Sequence, residues 1–354
     1  MPTSPWFRRE FDSLAVISHL TLELGNVSVF AATQHSPINT TSVVLQSASS
    51  GAAEAFRVHE EGHTLVLTWA VGYAVDHDFT VEIHMPRESL DVVLYSGPDT
   101  VAIHPHTLRR SVDANLTIAT TGPGSLLVDD TDLRAGSLHL RQGGAGLLQL
   151  SCRDIVVAYD VDVQTMASGS TVVAASSSVS ASHVTVAGAA GHTTVDVQGP
   201  VKVTDFIDLH GTKSGHVDVR AHAMKSHHVA LTTSGYGSVA VDATAQLDAG
   251  SVVDSDLVGH GSVRCTGAEG TCNALDINVG GTGSARINVA AITCSVAMDG
   301  KGSVYLRHGQ AVQDEKIAGG GELKTFDESA EDAPPRHAIV KLVPLSRPTP
   351  QPED

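Results

Sequence analysis

A glycine recurs through most of the chain at a nearly constant interval. Successive recurrences lie 22, 23, 22, 24, 22, 24, 22 and 19 residues apart. A period held over nine units predicts a repeat fold in which each unit stacks on the one before it. We expect the chain to turn near these residues, where glycine tolerates left-handed backbone. The nine positions are Gly124, Gly146, Gly169, Gly191, Gly215, Gly237, Gly261, Gly283 and Gly302.

Alignment on this glycine produces columns of similar residues. The column four positions after it is apolar throughout: Val128, Leu150, Val173, Val195, Val219, Val241, Cys265, Ile287 and Leu306. The residue before each of these varies in charge and size, which indicates a strand with one buried face. A second alternating run precedes each glycine. In the run before Gly191, a one-residue shift that turns Val184 and Val186 inward avoids burying His183 without a partner.

A weaker apolar position follows the glycine by roughly nine to eleven residues and suggests a third short side. Its members are Leu133, Ile155, Val179, Val201, Met224, Leu247 and Ile292. Strands that share a column would stack at about 4.8 Å. The sequence therefore predicts an all-β fold, a parallel β-helix (β-solenoid) with about 22 residues per coil. An antiparallel sandwich would not need one period with matching columns.

Composition agrees with a narrow core and excludes some partners. Hydrophobic residues make up 42% of the chain but aromatic residues only 4%. A formal net charge of −17 argues against nucleic acid and anionic membranes as partners. No apolar run is long enough to span a membrane, and no signal peptide is visible. We therefore expect a cytoplasmic protein by default, or an extracellular one if its export signal is missing or non-classical.

The periodicity divides the chain into three parts. Residues 1–115 are rich in strand patterns but less periodic, so we expect a capping region followed by the first coils. Residues 116–321 hold the regular coils. Residues 322–354 are acidic and then proline-rich, which predicts a disordered tail.

Several segments together resemble the auto-transporter adhesin head (GIN) domain family. They are FDSLAVISHLTLELG, EEGHTLVLTW, FTVEIHMPRESLDVVLYSGPDTVAI and the later coils SGYGSVAV, GHGSVRC, GGTGSARINV and GKGSVYL. The resemblance covers roughly residues 10–320. It implies a right-handed β-helical head with a cell-surface or adhesive role, and it transfers no catalytic residues.

Two side-chain pairs are the candidate sites. Asp254 and Asp276 share an outward column in neighbouring coils, and carboxyl groups about 5–5.5 Å apart serve retaining glycosidases. Two solvated aspartates on a polar face are the alternative. His192 and His216 each follow a repeat glycine and are candidate ladder neighbours. Such a pair could contribute to a zinc or copper site, but the sequence offers no third ligand. We therefore assign no catalytic, cofactor-binding or metal-binding residue and no cofactor.

The cysteine pattern leaves two alignments open. Cys272 and Cys294 both lie eleven residues after their glycines and could stack as a disulfide. The last coil is three residues short, however, and counting backward from the next glycine aligns Cys294 with Leu275. Cys265 lies in an apolar column and is expected to be a small buried residue.

These features favour a non-enzymatic β-helical binding or structural module, adhesin-like, that engages a protein or glycan surface. The alternatives are a polysaccharide-acting hydrolase or lyase on the same scaffold, or a cytoplasmic scaffold. The chain also has 19 histidines, whose protonation would change the formal charge from −17 to −17 + 19 = +2. We therefore expect self-association at mildly acidic pH.

Overall fold

A computed structural model of the chain describes residues 6–32, 40–73 and 78–326, with side chains at all of these positions except 251–254. Strands make up 72% and helix 2% of the structure, which is a parallel β-solenoid of about 10 turns of roughly 23 residues. The elements are β1 (Phe7–Ser13), β2 (His19–Leu22), β3 (Val27–Ala31), β4 (Thr41–Ser47), α1 (Ser50–Ala55), β5 (Phe56–Glu61), β6 (Thr64–Trp69), β7 (Phe79–Met85), β8 (Val92–Tyr95), β9 (Thr100–Ile103), β10 (Ser111–Thr120), β11 (Ser125–Asp129), β12 (Asp132–Gln142), β13 (Leu147–Val157), β14 (Asp160–Thr165), β15 (Ser170–Gly188), β16 (His192–Gly211), β17 (His216–Gly235), β18 (Ser238–Gly259), β19 (Ser262–Val279), β20 (Ser284–Asp299), β21 (Ser303–Arg307), β22 (Asp314–Ala318) and β23 (Glu322–Phe326).

The apolar column after the glycine pairs in register from coil to coil, which confirms the predicted stacking. Val128 pairs with Leu150, and the ladder continues in parallel to Ile287 and Leu306. Every member is buried. The β-branched side chains therefore form one continuous narrow core, as the small number of aromatic residues suggested.

Each regular coil also has the suggested third side. Leu133, Ile155, Val179, Val201, Met224 and Leu247 pair consecutively and are buried. The prediction that Ile292 belongs to this buried column was wrong, because Ile292 is 73% exposed. The ladder between β19 and β20 shifts register after Thr266, and the shorter coil brings Val289 into the core instead.

The repeat glycines serve close stacking rather than left-handed backbone. None of the nine has a positive φ, whereas Gly235 and Gly259, which precede two of them, do. A Cβ built on Gly146 would lie 1.8 Å from the carbonyl oxygen of Gly124 in the preceding coil. The expected reason for these glycines was therefore wrong: the coils approach too closely at this corner for any side chain.

The first coils do not stack in sequence order. β2 lies between β6 and β8, and β3 lies between β7 and β9, so the β6–β7 coil is outside the earlier β2–β3 coil. Antiparallel strands complete this end: β5 pairs with β6, β4 with β7, and β1 with β4. Phe56, Trp69 and Phe79 pack edge to face in the same region.

The other end finishes in a polar coil. β22 pairs with β20 and β23 pairs with β21, both in parallel. Glu315 and Thr325 stand in the columns that Val296 and Leu306 occupy one coil earlier. The ladder thus extends to Phe326, so the first five residues of the predicted tail are a strand; residues 327–354 lie outside the described residues. Within the described ranges, no helix is long and apolar enough to cross a membrane.

Candidate functional site

One outward column at a corner of the solenoid brings rings and carboxylates together. Asp160, His183, Phe206 and His228 pair consecutively on β14, β15, β16 and β17. The next residue in each strand is a buried valine or isoleucine. Because side chains alternate along a strand, this buried column turns the preceding residues outward.

The imidazole of His183 is held on three sides. Its ring stacks on the ring of Phe206, with the centroids 4.2 Å apart and an interplanar angle of 29°. Nδ1 lies 2.8 Å from Oδ1 of Asp160, and Nε2 lies 3.1 Å from Oδ2 of Asp205. Contacts from three successive coils therefore fix the orientation of one ring against another.

The cluster faces solvent. Phe206 is 39% exposed and Tyr159 is 62% exposed. The carbonyl oxygen of Tyr159 accepts the N–H groups of Ser182 and His183, which places Tyr159 beside the cluster in the preceding coil. The side chains of Asp160 and Asp205 are also more than half exposed. We call Tyr159, Asp160, His183, Asp205 and Phe206 the corner platform.

The corner platform combines two kinds of recognition chemistry. Exposed aromatic side chains pack against apolar C–H surfaces, and they do so with little loss of conformational freedom. The carboxylates of Asp160 and Asp205 accept hydrogen bonds. A ligand that carries both hydroxyl groups and C–H faces would use both features.

The predicted aspartate pair lies on adjacent strands. Asp254 and Asp276 are partners in the parallel ladder between β18 and β19. The hydroxyl of Ser295, in the next coil, donates to Oδ1 of Asp276 at 2.5 Å. The side chain of Asp254 lies outside the described set, so the chemical role of the pair stays a prediction.

The predicted histidine pair is also adjacent. His192 and His216 are ladder partners, and their rings stack with centroids 4.8 Å apart. Nδ1 of His216 lies 2.6 Å from the hydroxyl oxygen of Ser238, the next member of the column. Over the described ranges, no group of three or more His, Cys, Asp or Glu residues could hold a metal ion. The metal-binding role of the pair remains untested.

The cysteines are free and buried, so of the two alignments that the sequence left open, the one with a disulfide is excluded. Cys272 pairs with Ala291, and Cys294 pairs with Leu275 because the last coil is short. The alternative alignment is thus confirmed. Burial raises the pKa of the Cys272 and Cys294 thiols to about 11 and that of Cys265 to about 12. These thiols therefore stay protonated at neutral pH and are poor nucleophiles.

Sequence reasoning found one member of the corner platform but not the platform itself. The expected shift that turns Val184 and Val186 inward is confirmed, since both are buried. That shift sends His183 to the surface. Read in the corrected register, the column would have shown Asp160, His183 and Phe206 together. Tyr159 and Asp205 flank that column in sequence and carry no periodic signal of their own.

Of three comparisons with known proteins, only the one with solved structures found matches. No protein-family model matches the sequence, so the resemblance to the GIN family stays a prediction. No curated protein matches either. A "putative adhesin" from Parabacteroides distasonis is 10% identical with a TM-score of 0.32, covering 91% of this chain and 98% of that one.

Two further structures cover similar shares of this chain. A "putative adhesin" from Bacteroides fragilis is 12% identical with a TM-score of 0.25, over 92% of this chain and 99% of that one. A "putative lipid binding protein" from Parabacteroides distasonis is 10% identical with a TM-score of 0.32, over 91% and 97%. At these scores the likeness carries no functional argument, and the function must be argued from the residues of this chain.

Proposed function

We propose that this chain is a non-enzymatic, adhesin-like binding module that binds carbohydrate at the corner platform. The observation that carries the proposal is the solvent-exposed ring of Phe206, stacked on a His183 ring that two carboxylates hold in place. A preorganised site loses little conformational entropy on binding.

Carbohydrate fits this surface better than an apolar ligand does. A pyranose ring has a C–H face that packs on an aromatic ring, and hydroxyl groups at its rim that donate to carboxylates. The site is a ridge built from successive coils about 4.8 Å apart, which is close to the length of one sugar unit. An extended glycan could therefore run along the solenoid axis.

The way in which the groups at the platform are engaged supports binding rather than catalysis. Both ring nitrogens of His183 face carboxylates. The hydroxyl of its neighbour Ser182 donates to the carbonyl oxygen of Ala158 at 2.9 Å, away from the imidazole. Nucleophilic catalysis requires a nucleophile within hydrogen-bond reach of a base. The groups at this corner instead hold rings in position.

The test is a glycan array with the purified full chain, followed by titration of the best glycan. We expect Phe206→Ala to weaken binding about three- to tenfold, the loss of one stacking contact. The matched control is Tyr236→Ala, because Tyr236 is 71% exposed and stacks on His260 at another corner. Equal affinities of both variants and the unmodified chain would contradict the proposal. Shortened glycan products would favour the enzyme alternative instead.

A further inference from the structure

The amino-terminal end of the solenoid finishes in a strand with one free edge. Among the described strands, β1 pairs only with β4, in an antiparallel register that runs from Phe7 with Ser47 to Ser13 with Thr41. The first six residues of β1 are all exposed. An unpaired strand edge presents backbone N–H and C=O groups to another strand. The edge of β1 is therefore a template for one more strand.

This edge extends beyond the rest of the same end. β4 pairs with β7 and β5 pairs with β6, so β4 and β5 both lie one strand outside the β6–β7 coil. β1 lies one strand spacing, about 4.8 Å, beyond β4. Another strand can therefore reach the free edge of β1 without first meeting β5.

One face of β1 carries two exposed aromatic side chains. Phe7 and Phe11 are both exposed, and Arg9 lies between them on this face because side chains alternate along a strand. Arg9 is directed toward its own chain: Nη1 donates to the carbonyl oxygens of Ala53 at 2.9 Å and of Phe56 at 3.0 Å. This face thus presents two rings on either side of an arginine that is already hydrogen bonded.

The other face of β1 carries opposite charges two residues apart. Arg8 and Glu10 form an ion pair along the strand, and Asp12 follows them. Charged residues on an edge strand disfavour most partners, because few partner strands present the matching charges. A second strand of the same sequence does present them.

An antiparallel copy of β1 matches this pattern best in one register. Residues directly opposite each other in an antiparallel pair lie on the same face of the sheet. When Arg9 lies opposite Arg9 of the second copy, Phe7 lies opposite Phe11 and Arg8 lies opposite Glu10. Two-fold symmetry makes the last two pairs occur twice. Centring the pair on Arg8, Glu10 or Phe11 instead places like charges opposite each other on the charged face.

We propose that the amino-terminal end of this protein binds a second copy of the chain, through antiparallel pairing of the two β1 strands centred on Arg9. Main-chain hydrogen bonds provide the affinity, and the Phe–Phe and Arg–Glu pairs set the register. The contact joins two solenoids end to end, with one sheet continuous through both. A contact made by one seven-residue strand is small for a protein interface, so the dimer forms in a concentration-dependent manner. This proposal is independent of carbohydrate binding at the corner platform.

Sedimentation of the purified full chain at pH 7.5 tests the proposal. We expect the mass to rise toward that of two chains as the concentration increases from about 1 μM to about 200 μM. Arg8→Glu replaces two Arg–Glu pairs by two Glu–Glu pairs and should raise the dissociation constant at least about tenfold. The matched control is Arg57→Glu, the same change of charge at an exposed position of β5. Its dissociation constant should rise less than about threefold, because solvent screens a charge away from the paired edge.

A mixture of two variants separates pairing between copies from any damage within one chain. Glu10→Arg alone should weaken the dimer as Arg8→Glu does, because it places arginines opposite each other. In an equimolar mixture, one Arg8→Glu chain and one Glu10→Arg chain have opposite charges in both pairs. The mixture should therefore dimerise within about threefold of the unmodified dissociation constant. A chain that stays monomeric over the whole range would overturn the proposal, and so would a mixture as weak as either variant alone or equal weakening by Arg57→Glu.

Discussion

The two ends of the solenoid close the same kind of sheet in different ways. At the amino-terminal end, antiparallel strands β1, β4 and β5 cover the outermost coil, and an aromatic cluster of Phe56, Trp69 and Phe79 packs there. At the carboxy-terminal end, β22 and β23 are largely exposed strands that carry charged residues. One end is paired and packed, whereas the other is kept polar.

The difference shows that a parallel ladder can end either under additional paired strands or in strands with exposed charged residues. An exposed strand edge invites pairing with another chain, and proteins protect edges by covering them or by charging them. Covering requires segments that leave the repeat, which explains why the antiparallel strands β1, β4 and β5 interrupt the period. Charging requires only substitutions inside the repeat, such as Glu315 in a column otherwise occupied by Val296.

The largest expected effect distinguishes the packed end from the polar end. Phe56 is 2% exposed and contacts Trp69 edge to face. Phe56→Ala should lower the free energy of unfolding by about 3–4 kcal/mol, because it leaves a cavity. Phe326→Ala, on the partly exposed last strand, should cost under about 1 kcal/mol. Urea unfolding of both variants measures the difference, and equal losses would show that the two ends are packed alike.

A second comparison is between the stability losses caused by glycine substitution in a middle coil and in the last coil. Gly146→Ala should destabilise by about 2 kcal/mol or more, since its Cβ would meet the Gly124 carbonyl oxygen and the backbone would have to move. Gly320 has φ +84 and no atom within 4 Å of a built Cβ. Gly320→Ala should cost only about 1 kcal/mol, from left-handed backbone alone. A larger loss at Gly320 than at Gly146 would contradict close coil stacking as the reason for the repeat glycine.

Self-association at acidic pH should use the polar end. Protonation of the histidines removes most of the net charge between about pH 7 and pH 5, and weaker repulsion permits edge contacts. We expect particle mass by light scattering to at least double near pH 5–5.5 in a reversible manner. Thr325→Lys, on β23, should reduce this association, whereas Thr204→Lys, exposed on β16, should not. An unchanged mass from pH 7.5 to 5 would contradict the expectation.

The smallest expected effect separates two histidines by their surroundings. Burial lowers the pKa of His104, whose Nε2 has no hydrogen-bond partner among the described residues. A hydrogen bond with Asp208 raises the pKa of His210. As pH falls through about 6.5, His104 takes up a proton more readily in the unfolded chain than in the folded one. Its contribution to the free energy of unfolding therefore falls in acid. The stability from His210 is present at low pH and is lost as pH rises through its folded pKa.

Two single variants check these signs. His104→Asn should lose less stability than the unmodified chain between pH 8 and pH 5.5. His210→Asn should lose more stability over the same range. Urea titrations at both pH values provide the measurement. The opposite order would show that the surroundings of one of the two histidines have been wrongly described.

The sequence predicted the regular coils because one buried face repeats every coil. Val219 and Val241 mark that face, and so does the shift that placed His183 outward. The order of the first coils had no local signal, because β2 pairs with β6 and β8 from distant parts of the chain. The corner platform was missed for a related reason. Register shifts after Ala181 and after Lys202 change the spacing between the third side and this corner.

Residue-resolved native-state hydrogen exchange tests most directly whether the two ends are terminated differently. The packed amino-terminal end should open only with the global unfolding transition, whereas β22 and β23 should open at much lower free energy. We predict slow exchange in β6 and β7 and fast exchange in β22 and β23, with intermediate rates in β20 and β21. Exchange in β6 and β7 as fast as in β22 and β23 would contradict this description of the solenoid.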